Sequence, residues 1–138
     1  MTDQLRRSRR ILAVQSQLDR LAQWSLIDLQ SRAAVLEDQQ RGLIRFLSEE
    51  LTIAEIFSST MMRRLQTLAE MLATIASEQD AQRDRHLEER SRLRRAKAIV
   101  ATLESEAQHK DELRQLAEAI EIALQRESQA SRKLTQPP

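Results

Sequence analysis

Apolar residues recur along this chain at intervals of three, four and seven. In the first third, Ile11, Val14, Leu18, Ala22, Leu26, Leu29, Ala33, Leu36, Leu43, Leu47 and Leu51 keep that rhythm, and only the polar Gln40 interrupts it. This is the periodicity of an amphipathic helix. The pattern also returns after eleven residues, with Ile11, Ala22, Ala33 and Ile44 on one line and Leu18, Leu29, Gln40 and Leu51 on another. Eleven residues in three turns, about 3.67 per turn, predict a stripe that is nearly straight or slightly right-handed. Gly42 lies inside the pattern and is predicted to cost about 1 kcal/mol without ending the helix.

A second stripe begins with Met61, Leu65, Leu68, Leu72 and Ile75, then fades. Between Ser77 and Arg92 the only apolar residues are Ala81 and Leu87. The stripe resumes with Leu93, Ala96, Val100, Leu103 and Ala107, followed by Leu113, Leu116, Ile120 and Leu124. The break between the two stripes is placed by Thr52-Ile53-Ala54-Glu55, which has the form of a capping box. Glu49 and Glu50 suit a helix C-terminus poorly, because the dipole there favours cations.

These signals predict helix 1 over about 3–50, a tip at about 50–56, helix 2 over about 53–130 and a frayed tail at 131–138. The fold class is all-α, a single long antiparallel two-helix coiled-coil hairpin. Residues whose numbers sum to about 106 then face one another, and roughly residues 104–128 overhang the start of helix 1. The rival is one continuous helix, which would need a partner along its whole length.

Composition sharpens this picture. One glycine, and two prolines that both stand at the end of the chain, leave few places to turn. Ala, Leu, Gln, Glu and Arg, all good helix formers, supply 85 of the 138 residues. The aromatic residues are Trp24, Phe46 and Phe57, too few for a thick core, whereas a thin seam between helices fits.

Several function classes fall away. Without cysteine there is no thiol chemistry or disulfide framework. A chain with one glycine cannot build a phosphate-binding loop or a serine elbow. Glu106-Ala-Gln-His109 has the Glu-x-x-His spacing of di-iron bundles, but that chemistry needs two such motifs and further glutamates. His86, beside Glu88 and Glu89, reads as a surface histidine. No catalytic, cofactor or metal residues are assigned, and a non-enzymatic protein is expected. The start of the chain does not read as a secretory signal, and no apolar run is long enough to span a membrane. A cytoplasmic location is expected, or a peripheral one at the inner membrane's cytoplasmic face through partners.

Two features remain as candidate protein-binding sites. The hairpin register brings Arg6, Arg7, Arg9 and Arg10 level with Arg90, Arg92, Arg94, Arg95 and Lys97, ahead of an acidic overhang that includes Glu104, Glu106, Asp111, Glu112, Glu118, Glu121 and Glu127. Arginine at high density suits bidentate contacts to carboxylates on a protein partner. The blander reading is a solvated face. Nucleic acid fits poorly, given a net charge of +1 and the acidic overhang. The polar stretch 77–92 faces Trp24, Leu21 and Leu18. Either the register is wrong, or an apolar patch around Trp24 stands partly open, or Trp24 lies over long Arg and Gln stems.

The plan resembles a known family, the flagellar export protein FliJ and its virulence-system counterpart YscO. The resemblance rests on the Arg-rich start with Ile11-Leu12-Ala13-Val14-Gln15, the short tip, Met62-Arg63-Arg64-Leu65, and the repeat Glu89-Arg90-Ser91-Arg92-Leu93-Arg94-Arg95-Ala96. It implies a soluble component of a type III export apparatus, flagellar or virulence. Such a protein would bind the hexameric export ATPase as a stalk-like coiled coil, contact the export gate and escort chaperones or substrates. The alternative is a structural coiled-coil scaffold or adaptor without an export role. A stalk is expected to be a monomeric hairpin when alone, a scaffold a homodimer.

Overall fold

The computed structural model describes residues 2–49 and 51–135, and side chains there except those of residues 51–54. Helix α1 runs over Asp3–Glu49 and helix α2 over Leu51–Thr135. Together they form an antiparallel all-α hairpin. Thr2 caps α1: its hydroxyl accepts from the Leu5 backbone N–H at 3.3 Å, and its carbonyl accepts from the Arg6 N–H at 3.2 Å. This satisfies donors that the first turn otherwise leaves unpaired, and Asp3 adds a negative charge where the dipole favours it.

The boundary between the helices is tighter than the sequence suggests. Residues 51–56, expected in the tip, are helical, as are residues 131–135, expected to fray. Glu50 and the Thr52 side chain, on which the expected capping box depends, lie outside the described residues, as do residues 136–138. Gly42 does not interrupt α1, has no positive φ, and a Cβ built there meets no atom within 4 Å.

The chain divides into two compact units, Ala13–Arg94 and Met1–Leu12 with Arg95–Pro138. In Ala13–Arg94, the buried and half-buried positions of α1 are Gln15, Asp19, Ala22, Leu26, Leu29, Ala33, Leu36, Gln40, Leu43 and Leu47, with Ser16 and Phe46 beside them. Those of α2 are Met61, Leu65, Leu68, Leu72, Ile75, Gln79, Gln82, His86, Glu89 and Leu93. Both series alternate steps of three and four. That is a seven-residue period, the seam of a left-handed coiled coil. The expected eleven-residue lines are therefore corrected: Leu18 and Ile44, and Val14 of the wider stripe, lie outside the seam and are exposed. The stripe of α2 does not lapse over 77–92 either. It keeps its spacing with polar members. The register agrees with expectation, since Gln15 meets Glu89 and Gln82 meets Ala22.

In the other unit, Leu5, Ser8 and Leu12 of α1 and Ala96, Val100, Leu103 and Ala107 of α2 take the inner positions. Leu5, Ala96 and Val100 are buried, while Ile11, read as a stripe residue, is exposed. Arg9 reaches Glu104 at 2.8 Å. Beyond Ala107, every described residue of α2 from 108 to 135 is exposed.

Candidate protein-binding surfaces

A polar layer occupies the seam of the unit Ala13–Arg94. Heptad spacing carries Asp19 inward, where it is only 7% exposed. Its Oδ1 lies 3.6 Å from His86 Nε2 and 3.6 Å from Arg90 Nε, beyond hydrogen-bond distance in both cases. Asp19 Oδ1 and His86 Nε2 are both buried without a hydrogen-bond partner. His86 is thus a seam residue, not the surface histidine that its acidic neighbours suggest.

One turn further on, Ala22 is too small to fill its seam position. Gln82 crosses there and donates to the Ala22 carbonyl at 3.1 Å. One turn the other way, Gln15 donates to the Glu89 carbonyl at 3.2 Å and to its carboxylate. Glu89 also holds Arg92 at 3.2 Å, and Arg92 in turn holds Glu88 at 2.8 Å. Buried polar residues in a coiled-coil seam cost stability and specify register. Asp19, Gln82, His86 and Glu89 were missed as a group. The signal that finds them is the unbroken heptad spacing from Leu72 through Gln79, His86 and Leu93.

Trp24 is 66% exposed and sits on the outer side of α1, opposite the seam. Leu21 and Ile27, one helical turn to either side, are also exposed and share that outer face. The polar layer therefore does not face Trp24. It is filled by polar partners of its own, and the register stands. A separate shallow apolar groove on this unit is lined by Val35, Leu36, Met71 and Ile75 with Ser31 and Arg32.

The arginines divide by environment. Arg92 is held by Glu88 and Glu89, and Arg9 by Glu104. Arg6, Arg7, Arg10 and Arg95 in the unit with both chain ends, and Arg94 in the other, are exposed and make no ion pair among the described residues. Glu106 and His109 are both exposed, and no cluster of three metal-ligating side chains occurs among the described residues. Among the described residues, no helix is long and apolar enough to cross a membrane.

These features define a two-helix coiled coil whose described outer faces carry apolar and cationic side chains. No protein-family model, curated protein or solved structure matches the chain.

Proposed function

We propose that this protein is a structural coiled-coil adaptor, non-enzymatic, that works by binding other proteins along its outer faces. One observation carries the reading. In the unit Ala13–Arg94 the two helices bury their seam against each other, yet Leu21, Trp24 and Ile27 stay exposed on the outward face of α1. Exposed apolar groups containing Trp are favoured anchors of protein interfaces. Capture of partners from the native cytoplasm with wild type and with a Leu21→Ala, Trp24→Ala double variant tests it. A partner retained by wild type and lost by the equally helical variant is the expected result. Identical capture by both overturns the assignment of this face.

A narrower reading is a stalk-like component of a type III export apparatus that binds the export ATPase ring and escorts chaperones or substrates in the cytoplasm. The hairpin form and the exposed Arg6, Arg7, Arg10 and Arg95 of one unit, which make no ion pair among the described residues, support it, since exposed cations steer association with an acidic surface. Replacing these four by Glu should leave helicity intact and weaken binding to the cognate ATPase more than tenfold, with loss of its salt dependence. Unchanged affinity in the folded variant would exclude the arginines from that contact.

A further inference from the structure

The two helices meet with one residue between them, Glu49 closing α1 and Leu51 opening α2. Helix–helix connections in bundles usually take about 2–8 residues. The helix ends at this boundary are also poorly satisfied. A C-terminus leaves four carbonyls, and an N-terminus four N–H groups, without intrahelical partners. Among the described residues, the backbone hydrogen bond made outside the helices lies at Thr2, not here. The side-chain contribution described at the end of α1 is Ser48, whose hydroxyl donates to the Arg45 carbonyl at 2.9 Å. The last turn of α1 holds no basic residue and the first turn of α2 no acidic one, so neither dipole is complemented. No described residue has the positive φ that commonly closes a helix.

A straight helix through this point pairs those orphan groups, and the sequence permits it. From Leu43 to Thr60 there is neither Gly nor Pro. Straightening also keeps the seam on one face. Met61 follows Leu43 by eighteen residues, and Leu65 follows Leu47 by the same interval. That interval is about five turns at 3.6 residues per turn. A hairpin does not require such a match.

A straightened chain needs a cover for its seam, and a second copy supplies one from contacts already present. The numbers of Gln15 and Glu89, and of Ala22 and Gln82, sum to 104. In that antiparallel register, two straightened copies are related by a two-fold axis level with about residue 52. Within the unit Ala13–Arg94, α1 of each copy then lies against α2 of the other in the same order, polar layer included. Exchange keeps the seam contacts, removes the tight connection and satisfies the helix ends. Loss of freedom on association opposes it, so concentration decides the balance. Short connections of this kind favour exchange of elements between copies.

We propose that two copies of this chain exchange their α1 helices, with α1 running straight into α2, to form an antiparallel dimer. The single hairpin remains the form at low concentration. Exchange requires each seam to open, so it proceeds on refolding rather than between folded hairpins. This form stands independently of the adaptor reading.

The chain has no cysteine, so thiols can be placed at will. Ala22→Cys and Gln82→Cys, as two separate proteins, are mixed in urea, refolded together at high concentration and mildly oxidised. A disulfide joining one variant to the other is expected, since these positions meet only across the seam. Neither variant refolded alone should cross-link, because like positions lie about 90 Å apart along the dimer at 1.5 Å per residue. The double variant Ala22→Cys, Gln82→Cys, refolded at low concentration, should close an internal disulfide, which shows that the hairpin folds and that the register is right. Inserting Gly-Ser-Gly-Ser between Glu49 and Leu51 relieves the connection. Sedimentation equilibrium of refolded wild type and insertion variant should show the dimer of wild type weakened by at least about tenfold. Absence of the mixed disulfide while the double variant closes internally overturns the proposal. So does failure of the double variant to close, equal cross-linking of the single variants alone, or a dimer indifferent to the insertion.

Discussion

At the residue scale, burial rather than residue type decides what each leucine contributes. Leu68 is 1% exposed at the centre of the seam. Leu68→Ala should cost about 2–4 kcal/mol, through lost transfer energy and the cavity left behind. Arg41 is exposed and, among the described residues, pairs with Asp38, one turn away. Arg41→Ala should cost under about 0.5 kcal/mol, as surface helical ion pairs are weak. Urea unfolding of the three proteins checks both, and equal losses would mean that the seam is misassigned. Gly42 offers the opposite case. Its backbone is helical and open space surrounds the position of a Cβ. Gly42→Ala should raise stability by about 0.5–1 kcal/mol, by restricting the unfolded chain and improving helix propensity, again read by urea midpoint.

At the element scale, the polar layer trades stability for register. Replacing Asp19 and His86 together by Leu removes two buried atoms that lack hydrogen bonds. The double variant should be about 1–3 kcal/mol more stable than wild type, because the cost of burying polar atoms without hydrogen bonds is removed. Thermal unfolding followed by circular dichroism checks the sign, and a clear loss of stability would show that the layer is a net contributor. The helices themselves were readable from sequence, because scarce Gly and Pro and a strong three-four rhythm left no competing structure. The phase of the seam was harder to read. Ile11, Val14, Leu18 and Ile44 are apolar and lie outside it, while Ser8, Gln15, Asp19 and Gln40 are polar and lie inside it. Hydrophobicity alone therefore favours an eleven-residue line, and only the strict alternation of three and four recovers the heptad. The same confusion made residues 77–92 look like a lapse and His86 look like a surface residue. Helix ends were blurred for a different reason: propensity is continuous across residues 49–56, so only hydrogen-bond geometry marks the boundary.

At the scale of the whole molecule, the account rests on one chain folding back on itself in a defined register. Of the candidate site, sequence identified Trp24 and the arginines as residues, but not their surroundings. The ion pairs that occupy Arg9 and Arg92 depend on which turns of helix meet Glu104 and Glu89, and the outward aspect of Trp24 depends on the heptad phase. The adaptor reading needs the closed hairpin, because only then is the outer face free for a partner. The most direct measurement is the distance between spin labels at Ser25 and Ala81, two exposed positions on opposite helices of one unit, with unlabelled protein added to suppress contacts between copies. With helix axes about 8–10 Å apart, the labels should lie within about 20 Å of each other. A continuous helix would separate them by more than about 80 Å at 1.5 Å per residue, and that result would contradict the hairpin and everything built on it.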